Sequence, residues 1–414
     1  MERVKGQPQA RTMLGALIVY QIAVSGPGLA LVATVLTPLI HAFHWSHEQV
    51  AEIAFASTLT GGLVGFMVGY LFDEIGARWV MSAGLVVVIA TLWSASLVSS
   101  LGTMVLLFAL YGMGAMLSGI LPVSVLSVNW FGHRRGLAGG VLWFALAIGM
   151  MATPPALTWL IAHYGWRAGF RFVCLPALLL GLPIALSVIR TRPASVAGWS
   201  KAQEVAALPG LELGPALSAA AFWLVLAADC AYSFAFGAVQ VHSITYLIGL
   251  GYSAQHAAWV FSGQVCVSAI GSVVFGALAD RIGARRSLTI AMLLVPAGLL
   301  AFTGAGGRFA PLALAGFILG WGGGAGCVTP LLPILLAESL GMRRLGTLSG
   351  MVRSGAAIAT AFGPLVSGMI FDRSGSYVPA FYLAAAAMVV AAGAISRVRP
   401  VAGREEIGLA AAAG

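Results

Sequence analysis

Two ionisable residues stand alone inside long apolar runs. Asp229 lies in AFWLVLAADCAYSFAF and Arg353 in SGMVRSGAAIAT. If these runs cross a membrane, each charge costs at least about 2.5–3.5 kcal/mol at a helix centre and persists where it works. Each is about ten residues from the same end of its run, so about 15 Å deep. Equal depth and opposite sign make them a pair. The guanidinium fork suits a carboxylate, either that of Asp229 or that of a substrate. Arg353 is therefore read as the group that binds an anion, with Asp229 its counter-ion in the empty site, either as a pairing group alone or also as a carrier for a proton. The alternative is a structural pair that holds two helices together. Tyr232, Phe236 and Gln240 follow Asp229 on one helical face, an aromatic wall of the kind a small organic anion meets or an ordinary packing stripe. The run that holds Gln264 has no Lys or Arg between Ala254 and Ala279, and a single Arg favours a monoanion over a dianion.

Other reactive groups carry less. His242, further along the run of Asp229, is a proton relay or a buried histidine with one partner. His41, His44 and His47 have a ligand-like spacing, but only Glu48 stands by to complete a set, so no metal is expected. Cys174, Cys230, Cys266 and Cys327 are dispersed in apolar runs and form neither a disulfide framework nor a thiol cluster. With no Walker sequence and no nucleophile–base set, the chain is expected to have no cofactor and no catalytic residues.

These residues are positioned by a chain that is 60% hydrophobic and 8% charged, against about 25% charged in soluble domains. Its solvent is lipid, and helices are the spanning element for long runs without alternation. Twelve spans are expected at 12–40, 49–71, 79–98, 102–128, 137–161, 168–189, 217–249, 254–278, 287–305, 309–337, 346–370 and 377–396. Arg167, Arg171, Arg308 and Arg373 fall on one side and Arg353 inside a span; every other Lys and Arg falls on the opposite side. The positive-inside rule makes that side, and both termini, cytoplasmic. The net charge of +9 then faces anionic headgroups, and nucleic acid is excluded as a partner. The polar stretch 190–216 divides a six-helix half, 1–189, from a second, 217–414.

The halves repeat. GYLFDEIGAR, from Gly69 through Asp73 and Gly76 to Arg78, returns half a chain later as GALADRIGAR, from Gly276 through Asp280, Arg281 and Gly283 to Arg285, followed by Arg286. FGHRRGLAGG and GMRRLGTLSG form a second pair, ahead of spans 5 and 11. Gly61, Gly65 and Gly69 form a close-packing stripe. Gly26-Pro27-Gly28, and the glycines from Gly320 to Gly326, are expected to loosen spans 1 and 10.

The doubled G-x-L-x-D-x-x-G-x-R motif resembles that of the major facilitator superfamily, over nearly the whole chain. NWFGHRRGLAGG resembles the segment before span 5 in monocarboxylate transporters and oxalate/formate antiporters. The resemblance implies an all-α membrane protein of two pseudo-symmetric six-helix bundles that rock about a central site. It also implies a cavity lined by spans 1, 4, 7 and 10, where Tyr20, Gln21, Tyr111 and Trp321 are further substrate-binding candidates; Trp143 of span 5 is another. Spans 2, 5, 8 and 11 flank the boundary between halves in this family. Asp73 and Asp280, with the Gly and Arg residues of their motifs, are then conformational latches that accept bonds from the start of a neighbouring helix. The expected protein is a monomeric secondary transporter of the bacterial inner membrane. It moves a small organic anion, a monocarboxylate, by proton symport or anion exchange. The alternative is proton-driven export of apolar or cationic compounds recognised by Asp229.

Overall fold

The computed structural model describes residues 7–192 and 208–399. Most of the expected linker, residues 193–207, and residues 400–414 lie outside the described residues, with Arg3, Lys5, Lys201 and Arg404. Among the described residues, twelve helices are long and apolar enough to cross a membrane. They are α1 (Gln7–Tyr20, a π-turn Gln21–Ser25, Gly26–Phe43), α2 (His47–Ile75), α3 (Ala77–Ala95), α4 (Leu101–Phe131), α5 (Arg135–Tyr164), α6 (Trp166–Ser187), α7 (Ala220–Gly249), α8 (Ala254–Ile282), α9 (Ala284–Thr303), α10 (Ala310–Leu340), α11 (Leu345–Ser374) and α12 (Val378–Arg397). The protein is an all-α integral membrane protein. Among the described residues the one extended pairing is an isolated bridge between Gly210 and Gly341.

The residues fall into two compact units: Met1–Trp130 with Phe144–Ala194, and Phe131–Trp143 with Ser195–Gly414. The first turns of α5 thus belong to the second unit. The first unit packs Phe108, Tyr111, Trp166 and Phe170 among Leu31, Leu39 and Leu157. In the second, Phe302 stacks on Phe317 at 4.0 Å and meets Tyr246 at 5.0 Å and Phe381 at 5.5 Å.

The charge of the repeats begins inside helices, past the expected span ends at 71 and 278. α2 and α8 continue through Asp73 and Asp280 and stop only at Gly76 and Gly283. Those glycines share one backbone conformation, φ +91° and +88°, which residues with a Cβ rarely adopt. Their amides still bond back to Phe72 O and Ala279 O. Both aspartates are therefore presented from the last helical turn.

The softened spans take a particular form. Span 1 is not broken at Pro27. A π-turn, Gln21–Ser25, precedes it, and Pro27 falls in the first turn of the next segment, where a missing amide costs little. Span 10 carries a π-turn at Ile318–Gly322 and an irregular turn at Gly326. Span 4 is interrupted at Gly119. Of the glycine stripe in α2, Gly61 meets the Gly112 carbonyl of α4.

Candidate functional site

α7 holds Asp229 fully buried. One oxygen, Oδ2, accepts from Arg353 Nη1 of α11 at 3.2 Å. The other, Oδ1, has no partner. Arg353 keeps 29% of its side chain exposed while Asp229 has none. A single bond of this length leaves the rest of the guanidinium fork available, so the pair is held but not closed.

The helices that carry the pair approach through small residues. A Cβ on Gly355 would lie 2.8 Å from Leu226 Cδ1 and 3.2 Å from Cys230 Sγ. A Cβ on Gly237 or Gly363 would run into a carbonyl of the facing helix. Such contacts let α7 and α11 lie close enough for a short Asp to reach an Arg.

Tyr232 and Phe236 stand on the Asp229 face with ring centroids 5.8 Å apart. Phe236 is half-buried and Tyr232 buried. The Tyr232 hydroxyl donates to the Ala325 carbonyl of α10 at 3.0 Å. Gln264 is buried, and its Nε2 donates to Gln240 Oε1 at 3.4 Å, joining α8 to α7. Trp321 is fully buried, stacks on Phe317 and leaves its Nε1 without a partner. Trp143 is half-buried at the edge of the α5 segment that belongs to this unit. His242 bonds the Pro364 carbonyl at 3.0 Å and stacks on Tyr377 at 4.7 Å, a half-buried histidine with defined partners.

Tyr20 and Tyr111 belong to the first unit. Tyr20 of α1 donates to Ser118 O of α4 at 2.7 Å, and Tyr111 of α4 donates to Gly28 O of α1 at 2.6 Å. Ser118 O lies beside the break at Gly119, where a carbonyl can lose its own intrahelical partner, and Gly28 O lies in the first turn after the π-turn Gln21–Ser25. Tyr232 treats Ala325 O, one residue before Gly326, in the same way. The tyrosines are joints between the first and fourth helices of each half.

The repeated motifs form a second constellation. In the second unit, Asp280 accepts from two free amides at the start of α5, Gly136 N at 2.7 Å and Leu137 N at 2.8 Å. Those amides have no intrahelical acceptor, and the helix dipole favours a carboxylate there. Gly136 and Gly140 lie against Ser272 and Gly276 so tightly that any Cβ at Gly136, Gly140 or Gly276 would meet a facing carbonyl. Ser272 Oγ donates to Gly140 O at 3.0 Å. Glu338, which sequence reasoning missed, completes the network. It accepts from Arg135 Nη2 at 2.7 Å and from Ala284 N at 3.2 Å, capping α9. It lies one residue past the expected span 309–337, inside the observed α10, where it is the one acid.

Arg285 donates to Val398 O beyond α12 at 3.0 Å, and Arg78 to Ile189 O beyond α6 at 3.3 Å. These arginines do the same work in each half: they hold the exit of the last span. Arg281 and Arg286 are exposed. The caps differ between copies. Where Glu338 caps α9, Thr191 Oγ1 accepts from Ala77 N at 2.8 Å to cap α3.

The family model for the Major Facilitator Superfamily matches residues 18–262 and 249–412. The chain is 25% identical over 347 residues to monocarboxylate transporter 13 of Bos taurus, covering 84% of this chain and 78% of that protein. It is 24% identical over 386 residues to monocarboxylate transporter 12-B of Danio rerio, covering 83% and 76%. Its fold matches a crystal structure of the human organic anion transporter MFSD10, with a TM-score of 0.73 at 17% identity over 93% of this chain and 99% of that one. It also matches the fucose transporter FucP in the outward conformation, with a TM-score of 0.74 at 16% identity over 93% and 97%.

Proposed function

We propose that this chain, which belongs to the Major Facilitator Superfamily, is a secondary transporter that moves a small monocarboxylate, with a proton or in exchange for another anion. The observation that carries the reading is the pair of Arg353 and Asp229. A buried carboxylate holds a partly exposed guanidinium by one bond, and an arriving carboxylate can take over the remaining donors. Asp229 then needs either a proton or a shared hold on Arg353, since an unpaired charge at this depth is costly. The names of the monocarboxylate transporters to which the chain is similar support the same substrate class. Tyr232, Phe236, Gln264, Trp143 and Trp321 are assigned to shape the surroundings of the pair. The proposed setting is the cytoplasmic membrane of a bacterium, with both termini inside and the protein working as a monomer by alternating access.

The test is uptake of a labelled short monocarboxylate into proteoliposomes under an imposed pH gradient, with a dicarboxylate of similar size as competitor. Wild-type protein transports the monocarboxylate and resists the competitor. Arg353→Gln, purified and folded, loses anion binding. Retained anion binding in that variant would sink the reading and favour export of cationic or apolar compounds recognised by Asp229.

A further inference from the structure

We propose that the arginines gathered where α9 begins and α12 ends bind the phosphate of an anionic phospholipid. The bond from Arg285 Nη1 to Val398 O brings these two helix ends together. Val398 is buried beneath it. Around this joint Arg281, Arg286, Arg397 and Arg399 are all exposed, and none has a partner among the described residues.

Nearby acids do not balance them. Asp280, next to Arg281, commits both oxygens to the amides of Gly136 and Leu137. Glu338 commits its own to Arg135 and Ala284. By contrast, Arg343 and Arg344 meet Glu212. The positive-inside rule accounts for basic residues at this end of the helices in general. It does not account for four guanidinium groups around one joint that have no partner among the described residues.

The helices beneath select lipid over a free anion. Ile290 and Leu293 follow Arg286 on one face of α9 and are 43% and 49% exposed. On α12, Val390 precedes Arg397 by two turns and is 70% exposed. Between them stands Gly393, where a Cβ would meet nothing within 4 Å. Charge at the helix ends above open apolar stripes matches a phospholipid, with the headgroup phosphate at the arginines and the acyl chains along the stripes. Inorganic phosphate would use only the upper part.

The experiment titrates the full chain in detergent with cardiolipin, phosphatidylglycerol, phosphatidylethanolamine or inorganic phosphate, read by native mass spectrometry and thermal unfolding. Cardiolipin and phosphatidylglycerol bind and raise the unfolding temperature, and the other two do not. Arg286→Gln/Arg397→Gln binds the anionic lipids at least about tenfold more weakly, given the usual worth of a basic residue at an anionic surface. Arg281→Gln/Arg399→Gln is an independent second pair with the same expected direction. Arg373→Gln, which removes one charge at the opposite end of the helices, leaves lipid binding unchanged. Both double variants unfold like wild type without lipid, because the altered residues have no partner among the described residues. Equal binding of phosphatidylethanolamine, or unchanged lipid binding in both double variants, refutes the site. Stabilisation by inorganic phosphate equal to that by lipid refutes the lipid assignment.

Discussion

Arg353 Nη1 lies 3.2 Å from Asp229 Oδ2, while Asp229 Oδ1 has no partner. The pair is asymmetric in burial as well as in bonding. Removing the Arg strands a carboxylate that has no exposure, whereas removing the Asp frees a side chain that already reaches open space.

That asymmetry predicts unequal stability losses. Breaking a buried pair from one side costs about 3–5 kcal/mol when the other charge stays buried. Arg353→Gln therefore lowers the unfolding temperature more than Asp229→Asn. The double variant is at least as stable as Arg353→Gln alone, because it removes the stranded charge. A double-mutant cycle by thermal unfolding measures the coupling. Additive effects would separate the two residues.

Asp280 makes a different kind of contact. It receives two amides from the start of α5 at 2.7 and 2.8 Å, with no group that a substrate anion would need. Asp280→Asn replaces one acceptor oxygen by a donor, which repels one of those amides. The expected outcome is a change in transport rate of several fold, with substrate affinity kept within a few fold. Asp73→Asn is expected to spare affinity in the same way. A large loss of affinity in either would place these carboxylates in the substrate site.

The tyrosines show how far the sequence could be read. The twelve spans, the repeat and the lone buried charges were legible because apolar length, duplication and charge in an apolar run are one-dimensional signals. The span ends were less so: Asp73 and Asp280 stand on helices because Gly76 and Gly283 set the stop, three residues later than the charge does. Tyr20, Tyr111 and Tyr232 read as cavity aromatics from their positions on spans 1, 4 and 7. Their hydroxyls in fact go to Ser118, Gly28 and Ala325 carbonyls. Which carbonyl lacks a partner depends on where π-turns and breaks fall in a facing helix, and no local pattern states that. Glu338 escaped notice for a similar reason, since its partners Arg135 and Ala284 lie on two distant helices.

A committed hydroxyl predicts a loss of stability rather than of binding. Leaving a buried carbonyl without its donor costs about 1–3 kcal/mol. Tyr20→Phe and Tyr232→Phe should each lower the unfolding temperature. Monocarboxylate affinity, measured by ligand-induced stabilisation, should stay within a few fold. If Tyr232→Phe instead leaves stability alone and abolishes binding, the hydroxyl serves the ligand and not the α7–α10 joint.

The last prediction concerns the final stretch of the expected linker, 190–216. Leu211 N donates to Leu340 O and Met342 N to Pro209 O, both at 2.9 Å. Gly210 and Gly341 face each other there with φ +135° and +92°. A Cβ on Gly210 would lie 2.7 Å from Gly341 Cα. Beside this bridge Glu212 pairs with Arg343 at 3.4 Å and Arg344 at 3.3 Å, with its own side chain 52% exposed. Both interactions fasten the same two stretches, but their worth differs. An exposed ion pair contributes about 0–1 kcal/mol and is screened by salt. The bridge needs the positive φ and the missing side chains, so a β-branched residue is excluded on both grounds. Gly341→Val should therefore lower the unfolding temperature by several degrees, while Glu212→Gln changes it little and less still at high salt. Thermal unfolding of the two variants at low and high salt decides. If Glu212→Gln were the more damaging, the charges and not the backbone pairing would hold this segment to the turn that leads into α11.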